Sequence, residues 1–275
     1  MTFDILIKNA QVLDGTGEPA QNVDIGINDG NFAAIYPEIS AEQGEYVIDG
    51  SGLIAAPGFI DVHTHYDLFL FRKPNADEKI LQGITTVITG NCGFSAAPLV
   101  KNGKEVIKSF DGLLGGGPAI ELFSDRVSFG DLLDMLEDAR PGVNVGTLVG
   151  NVTLRIAALQ HDMRPPTEDE LAHMKSMVAE AMESGAFGFS SGLEYAPGSY
   201  AQTDELTELA SVAARYGGIY TTHMRNEGTK LLESIKETIQ IGENSGARAQ
   251  ISHIKVVGKR NWGKASEAIN LIKDA

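Results

Sequence analysis

Gly58-Phe59-Ile60-Asp61-Val62-His63-Thr64-His65 is the stretch on which the reading of this chain turns. Taken as a strand it alternates, with Asp61, His63 and His65 on one side and Ile60, Val62 and Thr64 on the other. An apolar lead-in followed by two histidines two residues apart places both imidazoles at the strand's C-terminal end, a geometry that suits a metal ion. A His-x-His pair in isolation reads equally well as two surface or core histidines. Three later stretches shift the balance toward metal: Gly90-Asn91-Cys92-Gly93, Thr222-His223-Met224-Arg225 and Ser252-His253-Ile254-Lys255.

From Pro57 onward the pattern is strand then helix, repeated. The expected strands are Phe59–His63, Thr85–Thr89, Val143–Val149, Phe187–Ser190, Ile219–His223 and Ala249–His253, apolar and rich in β-branched residues, as strands buried on both faces should be. Between them, apolar residues recur at helical spacing over Phe129–Ala139, Glu168–Ser184, Glu205–Arg215 and Thr229–Asn244, and a last helix starts near Ala265. Thr167 with Glu170 forms a capping box, and Gly185 is the matching stop. Six βα units of this length predict a parallel (β/α)₈ barrel, an α/β fold, two units short of closure. Residues 94–128, with Gly115-Gly116-Gly117, read as a long irregular insertion.

Ahead of this, residues 1–56 read as short strands: Phe3–Ile7, Gln11–Leu13, Val23–Ile27, Phe32–Tyr36, Val47–Ile48 and Leu53–Ile54, with turn signals at Asp14-Gly15, Asp29-Gly30 and Asp49-Gly50. The predicted division is a small β domain over 1–56 and a barrel over 57–275. The small domain's strands are too few and short to close a sandwich alone, so partner strands are expected from elsewhere in the chain.

A net charge of −15 argues against nucleic acid or an anionic membrane as the main partner. No apolar run approaches the ~18–20 residues that span a bilayer, and the N-terminus does not read as a signal peptide. Cys92 is the single cysteine, which excludes an internal disulfide and fits a reducing cytoplasm.

In a parallel barrel the strand C-terminal ends face the active site. Those ends carry His63, His65, Cys92, His223 and His253, whereas His161 and His173 fall in a loop and on a helix. Cysteine with imidazole favours zinc. Cys92, His223 and His253 could hold one zinc and leave its fourth position to a water acidified to a pKa of roughly 7. His63 and His65 could serve a second metal or hold substrate. Alone, Cys92 reads as a small buried hydrophobe, and it is the coincidence at one rim that argues for a metal. Arg225 and Lys255 each lie two residues past a histidine and share its orientation, which implies an anionic group such as a carboxylate on the substrate, or else a pair of solvated cations. Ser191-Gly192-Leu193-Glu194-Tyr195-Ala196-Pro197-Gly198 has the turn chemistry of a rigid loop, from which Tyr195 either donates a hydrogen bond to substrate or packs the loop.

Taken together, these stretches, with Gly83-Ile84-Thr85-Thr86-Val87, resemble the amidohydrolase superfamily, and within it the N-acyl-D-amino-acid deacylase (D-aminoacylase) branch. The resemblance runs from about residue 3 to the last residue. The cysteine after strand two and the Ser-Gly-Leu-x-Tyr-x-Pro-Gly loop are its most specific parts. It implies a zinc-dependent (β/α)₈ barrel with a small β-sandwich built from both chain ends. It implies Cys92, His223 and His253 as ligands of a tightly held zinc, and His63 and His65 at a weaker or vacant second site. Lys255 and Tyr195 are implied to engage the substrate carboxylate, with Arg225 a further candidate. The implied reaction hydrolyses small N-acyl-D-amino acids to a carboxylate and a free D-amino acid.

Two departures stand out. Asn151, in Gly150-Asn151-Val152-Thr153-Leu154-Arg155, replaces a histidine frequent in the family. The family's catalytic aspartate ends strand eight and has no counterpart here, so the catalytic residue is left unassigned. The chain is therefore expected to be the N-terminal part of a longer enzyme, inactive alone, with a complementary C-terminal fragment or a second copy as partner. The alternatives are a cyclic-amide hydrolase of the dihydroorotase or hydantoinase kind, against which the absence of a strand-four lysine speaks, and a non-catalytic metal-binding subunit.

Overall fold

The computed structural model describes residues 2–160 and 162–275, so that His161 lies outside the described residues. The chain divides into two compact units between Phe59 and Ile60.

The first unit is a sheet of β1 (Phe3–Val12), β2 (Gln21–Asn28), β3 (Asn31–Tyr36), β4 (Gly44–Asp49) and β5 (Ile54–Ala55), in the order β3-β2-β1-β4 with β5 also on β1. β1 runs antiparallel to β2 and parallel to β4 and β5. The two strands expected over Phe3–Ile7 and Gln11–Leu13 are one, broken by an irregularity between Ile7 and Ala10. Asn9 sits there at φ 59°, a conformation asparagine tolerates better than most residues, and its N–H donates to Asp24 at 2.7 Å. Phe3, Leu6 and Ile39 form the unit's small core.

From β6 (Phe59–Asp61), which begins at the boundary, the second unit carries the strands β7 (Ile84–Thr89), β8 (Asn144–Gly150), β9 (Gly188–Gly192), β10 (Ile219–His223) and β11 (Arg248–Ile251). They form one sheet in chain order, and every pairing from β7 to β11 is parallel. The helices are α1 (Phe69–Arg72), α2 (Asp77–Ile80), α3 (Gly103–Ser109), α4 (Asp111–Leu114), α5 (Phe129–Ala139), α6 (Asn151–Leu159), α7 (Glu168–Ser184), α8 (Thr203–Arg215), α9 (Leu231–Ser245) and α10 (Ala265–Lys273). This is a partial (β/α) barrel. Consecutive strand residues such as Leu148 and Val149 are both fully buried, which accounts for the unbroken apolar runs in the sequence.

The capping box Thr167–Glu170 starts α7, and Gly185 stops it at φ 116°. A second capping box, Ser128 with Asp131, starts α5. Three expectations change. The first strand ends at Asp61, so His63 and His65 lie in the connection after it. The Asp61 carboxylate accepts the His63 N–H at 3.3 Å and takes a donor that a longer strand would use in the ladder. Likewise His253 follows β11 rather than ending it. Residues 94–128 hold α3, α4 and a 3₁₀ segment over Gly117–Leu122.

Helix α6 was not expected. Its first five residues are buried on every side, so no polar face marks it in the sequence. Within it, Arg155 donates to both oxygens of Glu205 on α8 at 2.7 and 2.6 Å, with both side chains almost fully buried. Among the described residues no helix is long and apolar enough to cross a membrane.

Candidate metal centre

Cys92 stands on a sharp turn after β7. Gly90, Cys92 and Gly93 all have positive φ, at 75°, 55° and 78°. The strain at Cys92, roughly 1–2 kcal/mol for a residue bearing a Cβ, is held by contacts on all sides. Gly90 donates its N–H to Asp67 at 2.7 Å, and its carbonyl accepts from the Ser190 hydroxyl. The same hydroxyl accepts the Gly93 N–H at 3.1 Å, and Tyr195 donates its phenol to the Cys92 carbonyl at 2.8 Å. A Cβ on Gly90 would lie 2.1 Å from the Leu148 carbonyl oxygen, so the close approach of this turn to β8 demands glycine.

The turn delivers the thiol into a group of imidazoles. Cys92 Sγ lies 3.4 Å from His63 Nε2 and 3.9 Å from His253 Nε2. Ring centroids are 5.4 Å apart for His63–His65 and His63–His253, and 4.4 Å apart for His223–His253. His63, Cys92 and His253 offer ligand atoms within 4.8 Å of one another, and so do His223, Glu227 and His253. All five predicted ligands line one cavity of about 510 Å³, where Phe94, Leu113 and Tyr195 supply further wall. His173 is exposed on α7, away from this group.

Burial, reinforced by neighbouring imidazoles, pushes His63 down to about 4 and lowers His65. Burial also lowers His223, against its hydrogen bond to Glu194, which works the other way. The Cys92 thiol is pushed up to about 11, again by burial. Neutral imidazoles are ready to ligate, whereas a thiol this weakly acidic needs a cation to become a thiolate. The Nδ1 atoms of His63 and His65 are buried without a hydrogen-bond partner. A soft sulfur, several neutral nitrogens and orphaned buried donors on one cavity fit a thiophilic divalent metal such as zinc.

The predicted substrate residues have partners within the protein. Lys255 Nζ meets Glu227 Oε2 at 2.6 Å and is about half exposed. Tyr195 packs on Phe94 with centroids 5.2 Å apart, and burial raises its phenol well above the ordinary value. Arg225 turns to α9: it pairs with Glu237 at 2.8 Å and donates to the carbonyls of Ser199 and Ala201 at 3.1 and 2.9 Å. Asn151 is fully buried and its Oδ1 accepts the Gly192 N–H at 3.1 Å.

Two acids at the rim escaped the sequence reading. Glu194 accepts from His223 Nε2 at 2.8 Å. Glu227, buried, accepts from His253 Nδ1 at 2.6 Å. Strand alternation could not have found Glu227, because β10 ends at His223 and Glu227 lies in the turn after it.

The amidohydrolase family model matches residues 46–266. Across 274 residues, 99% of this chain, the sequence is 39% identical to a D-aminoacylase of Alcaligenes xylosoxydans xylosoxydans. A solved D-aminoacylase, described as having a binuclear metal centre activated by one metal and attenuated by the second, superposes with a TM-score of 0.90 at 38% identity over 99% of this chain. The N-acyl-D-glutamate deacylase of Bordetella bronchiseptica, solved with zinc and a phosphonate mimic of the tetrahedral intermediate, superposes with a TM-score of 0.87 at 38% identity over 100% of this chain. The chain spans about half the length of these relatives: 55%, 56% and 56% of each in turn.

Proposed function

The chain belongs to the amidohydrolase family, and from that premise we propose that it serves zinc-dependent hydrolysis of the amide bond of N-acyl-D-amino acids. The observation that carries this reading is the single cysteine delivered by a strained turn into four histidines on one cavity. The D-aminoacylase and the zinc-bound deacylase above support the substrate class and the metal.

In this proposal Cys92, His223 and His253 hold the tight zinc, and His63 and His65 belong to a weaker second position. A zinc bound there supplies Lewis acidity, polarising a carbonyl and lowering the pKa of water to roughly 7. The remaining work falls to the chain's own side chains. Lys255, half exposed at the rim, swings its ammonium to the substrate carboxylate, a charge-assisted hydrogen bond of about 1.5–3 kcal/mol. Tyr195, on releasing the Cys92 carbonyl to which it donates, gives that carboxylate a second donor, and its ring forms part of the wall. Phe94 and Leu113 offer apolar surface to the acyl group and keep bulk water away. Arg225 acts through the loop it anchors at Ser199 and Ala201. A reducing, cytoplasmic setting keeps Cys92 a free thiol.

The test is release of free amine from matched N-acetyl-D- and N-acetyl-L-amino acids by the zinc-loaded chain together with a complementary C-terminal fragment that supplies the strand-eight aspartate, alongside Cys92→Ala and Lys255→Met. D-selective release that Cys92→Ala abolishes, with Lys255→Met impairing acids far more than amides, is expected. Equal turnover of both enantiomers, or a Cys92→Ala protein that keeps its zinc and activity, contradicts the proposal.

A further inference from the structure

We propose that Glu227 is a positioning residue that couples the metal centre to substrate recognition: one carboxylate oxygen fixes the His253 ring and the other parks the Lys255 ammonium. The inference rests on the zinc reading above and goes beyond it, because it assigns a role to a residue that neither ligates nor touches substrate.

Glu227 Oε1 accepts from His253 Nδ1 at 2.6 Å, and Oε2 accepts from Lys255 Nζ at 2.6 Å. Its side chain is 1% exposed. The Nδ1 bond decides the tautomer of His253, because a nitrogen that donates to a carboxylate leaves the other ring nitrogen with its lone pair. That other nitrogen, Nε2, is the one 3.9 Å from Cys92 Sγ. Glu227 and the thiol therefore lie at opposite edges of one imidazole. With both oxygens already engaged at short range, Glu227 is better placed to orient a ligand than to be one.

The neighbouring chain fixes the carboxylate. Asn226 Oδ1 accepts the N–H groups of Gly228 and Lys230 at 3.0 and 2.9 Å, and the Asn226 N–H donates to Ser234 at 3.0 Å. The Glu227 carbonyl accepts the Val257 N–H at 2.8 Å. Glu227 is thus bound by backbone and side chain to the segment that carries both His253 and Lys255. This has a consequence for recognition. When Lys255 leaves for a substrate carboxylate, Glu227 keeps His253 at 2.6 Å on one oxygen and has His223 Nε2 3.9 Å from the other. Substrate capture and the hold on His253 then share one carboxylate.

The experiment combines zinc affinity by competition with a chromogenic chelator and long-range ¹H–¹⁵N spectra of the imidazoles. Wild type, Glu227→Gln, Lys255→Met and the double variant are compared. Glutamine keeps the volume but has one acceptor oxygen and cannot accept from both partners. Expected in Glu227→Gln is a roughly 10–100-fold loss of zinc affinity with unchanged near-UV circular dichroism. Lys255→Met should keep zinc affinity within about threefold, a margin below the usual size of such an effect. KM for an N-acetyl-D-amino acid should rise in Lys255→Met, and Glu227→Gln should change it no further once Lys255 is gone. The spectrum needs no variant: His253 of the wild type should carry its proton on Nδ1, so the idea remains exposed even if Glu227→Gln fails to fold. An Nε2–H tautomer, or a folded Glu227→Gln protein with zinc affinity within twofold of wild type, overturns the inference and leaves the zinc reading standing. A wild type that binds no zinc overturns both.

Discussion

The two sides of the candidate metal centre are held in different ways. On the Cys92 side the backbone decides: Gly90, Cys92 and Gly93 adopt positive φ, and Asp67, Ser190 and Tyr195 bond to the turn's own peptide groups. On the His253 side a side chain decides. The backbone is tied at Ser252 to Thr222 and again at Val257 to Glu227, and between those points Ile254 and Lys255 are exposed. There the imidazole takes its direction from the Glu227 carboxylate. A ligand placed by backbone geometry fails with the fold around it, whereas one placed by a side chain can be disturbed while the fold persists.

Substitutions on the Cys92 side should therefore cost stability and metal together. Gly90→Ala carries the largest expected effect. Its Cβ meets the Leu148 carbonyl at 2.1 Å and its φ is 75°, so β7 and β8 must separate. Urea unfolding should show a loss of about 3 kcal/mol or more, with zinc content falling in parallel. A Gly90→Ala protein of wild-type stability would break the comparison.

Ser190→Ala comes next. One hydroxyl serves both ends of the turn, the Gly90 carbonyl and the Gly93 N–H, and its removal leaves buried peptide groups unpaired. A loss of about 1–3 kcal/mol is expected by the same measurement. Tyr195→Phe removes only the bond to the Cys92 carbonyl and should cost about 0.5–1.5 kcal/mol, with the ring still packed on Phe94. If Tyr195 also serves substrate, KM rises in this variant while zinc affinity is retained. The smallest effect belongs to His173→Ala on the exposed face of α7, within about 0.5 kcal/mol and without change in zinc. A loss of zinc there would mean that the cluster has been wrongly delimited.

The difference between the two sides also explains what could be read from sequence. Five residues of one cluster, His63, His65, Cys92, His223 and His253, were legible because parallel topology sends every strand end to the same rim. Helices α5 and α7 were legible from amphipathic spacing, and α7 also from its capping box. What escaped has a common cause. Helix α6 is buried all round and carries no periodic signal. The strand before His63 ends early because the Asp61 carboxylate captures the His63 N–H, and β11 stops at Ile251, two residues before His253. Arg225 was placed on its histidine's side by alternation, yet Glu237 and two carbonyls claim its guanidinium. Glu227 was missed because an acid four residues past a histidine has no meaning until the turn after β10 brings it beside the segment after β11.

The central claim is that the Cys92 sulfur and imidazole nitrogens bind one metal together. Zinc K-edge absorption of the zinc-loaded protein tests it most directly. One sulfur scatterer at about 2.3 Å and nitrogen or oxygen scatterers at about 2.0–2.1 Å are expected, with the sulfur shell absent from Cys92→Ala. A zinc shell of nitrogen and oxygen alone in the unaltered protein, identical in Cys92→Ala, would contradict it.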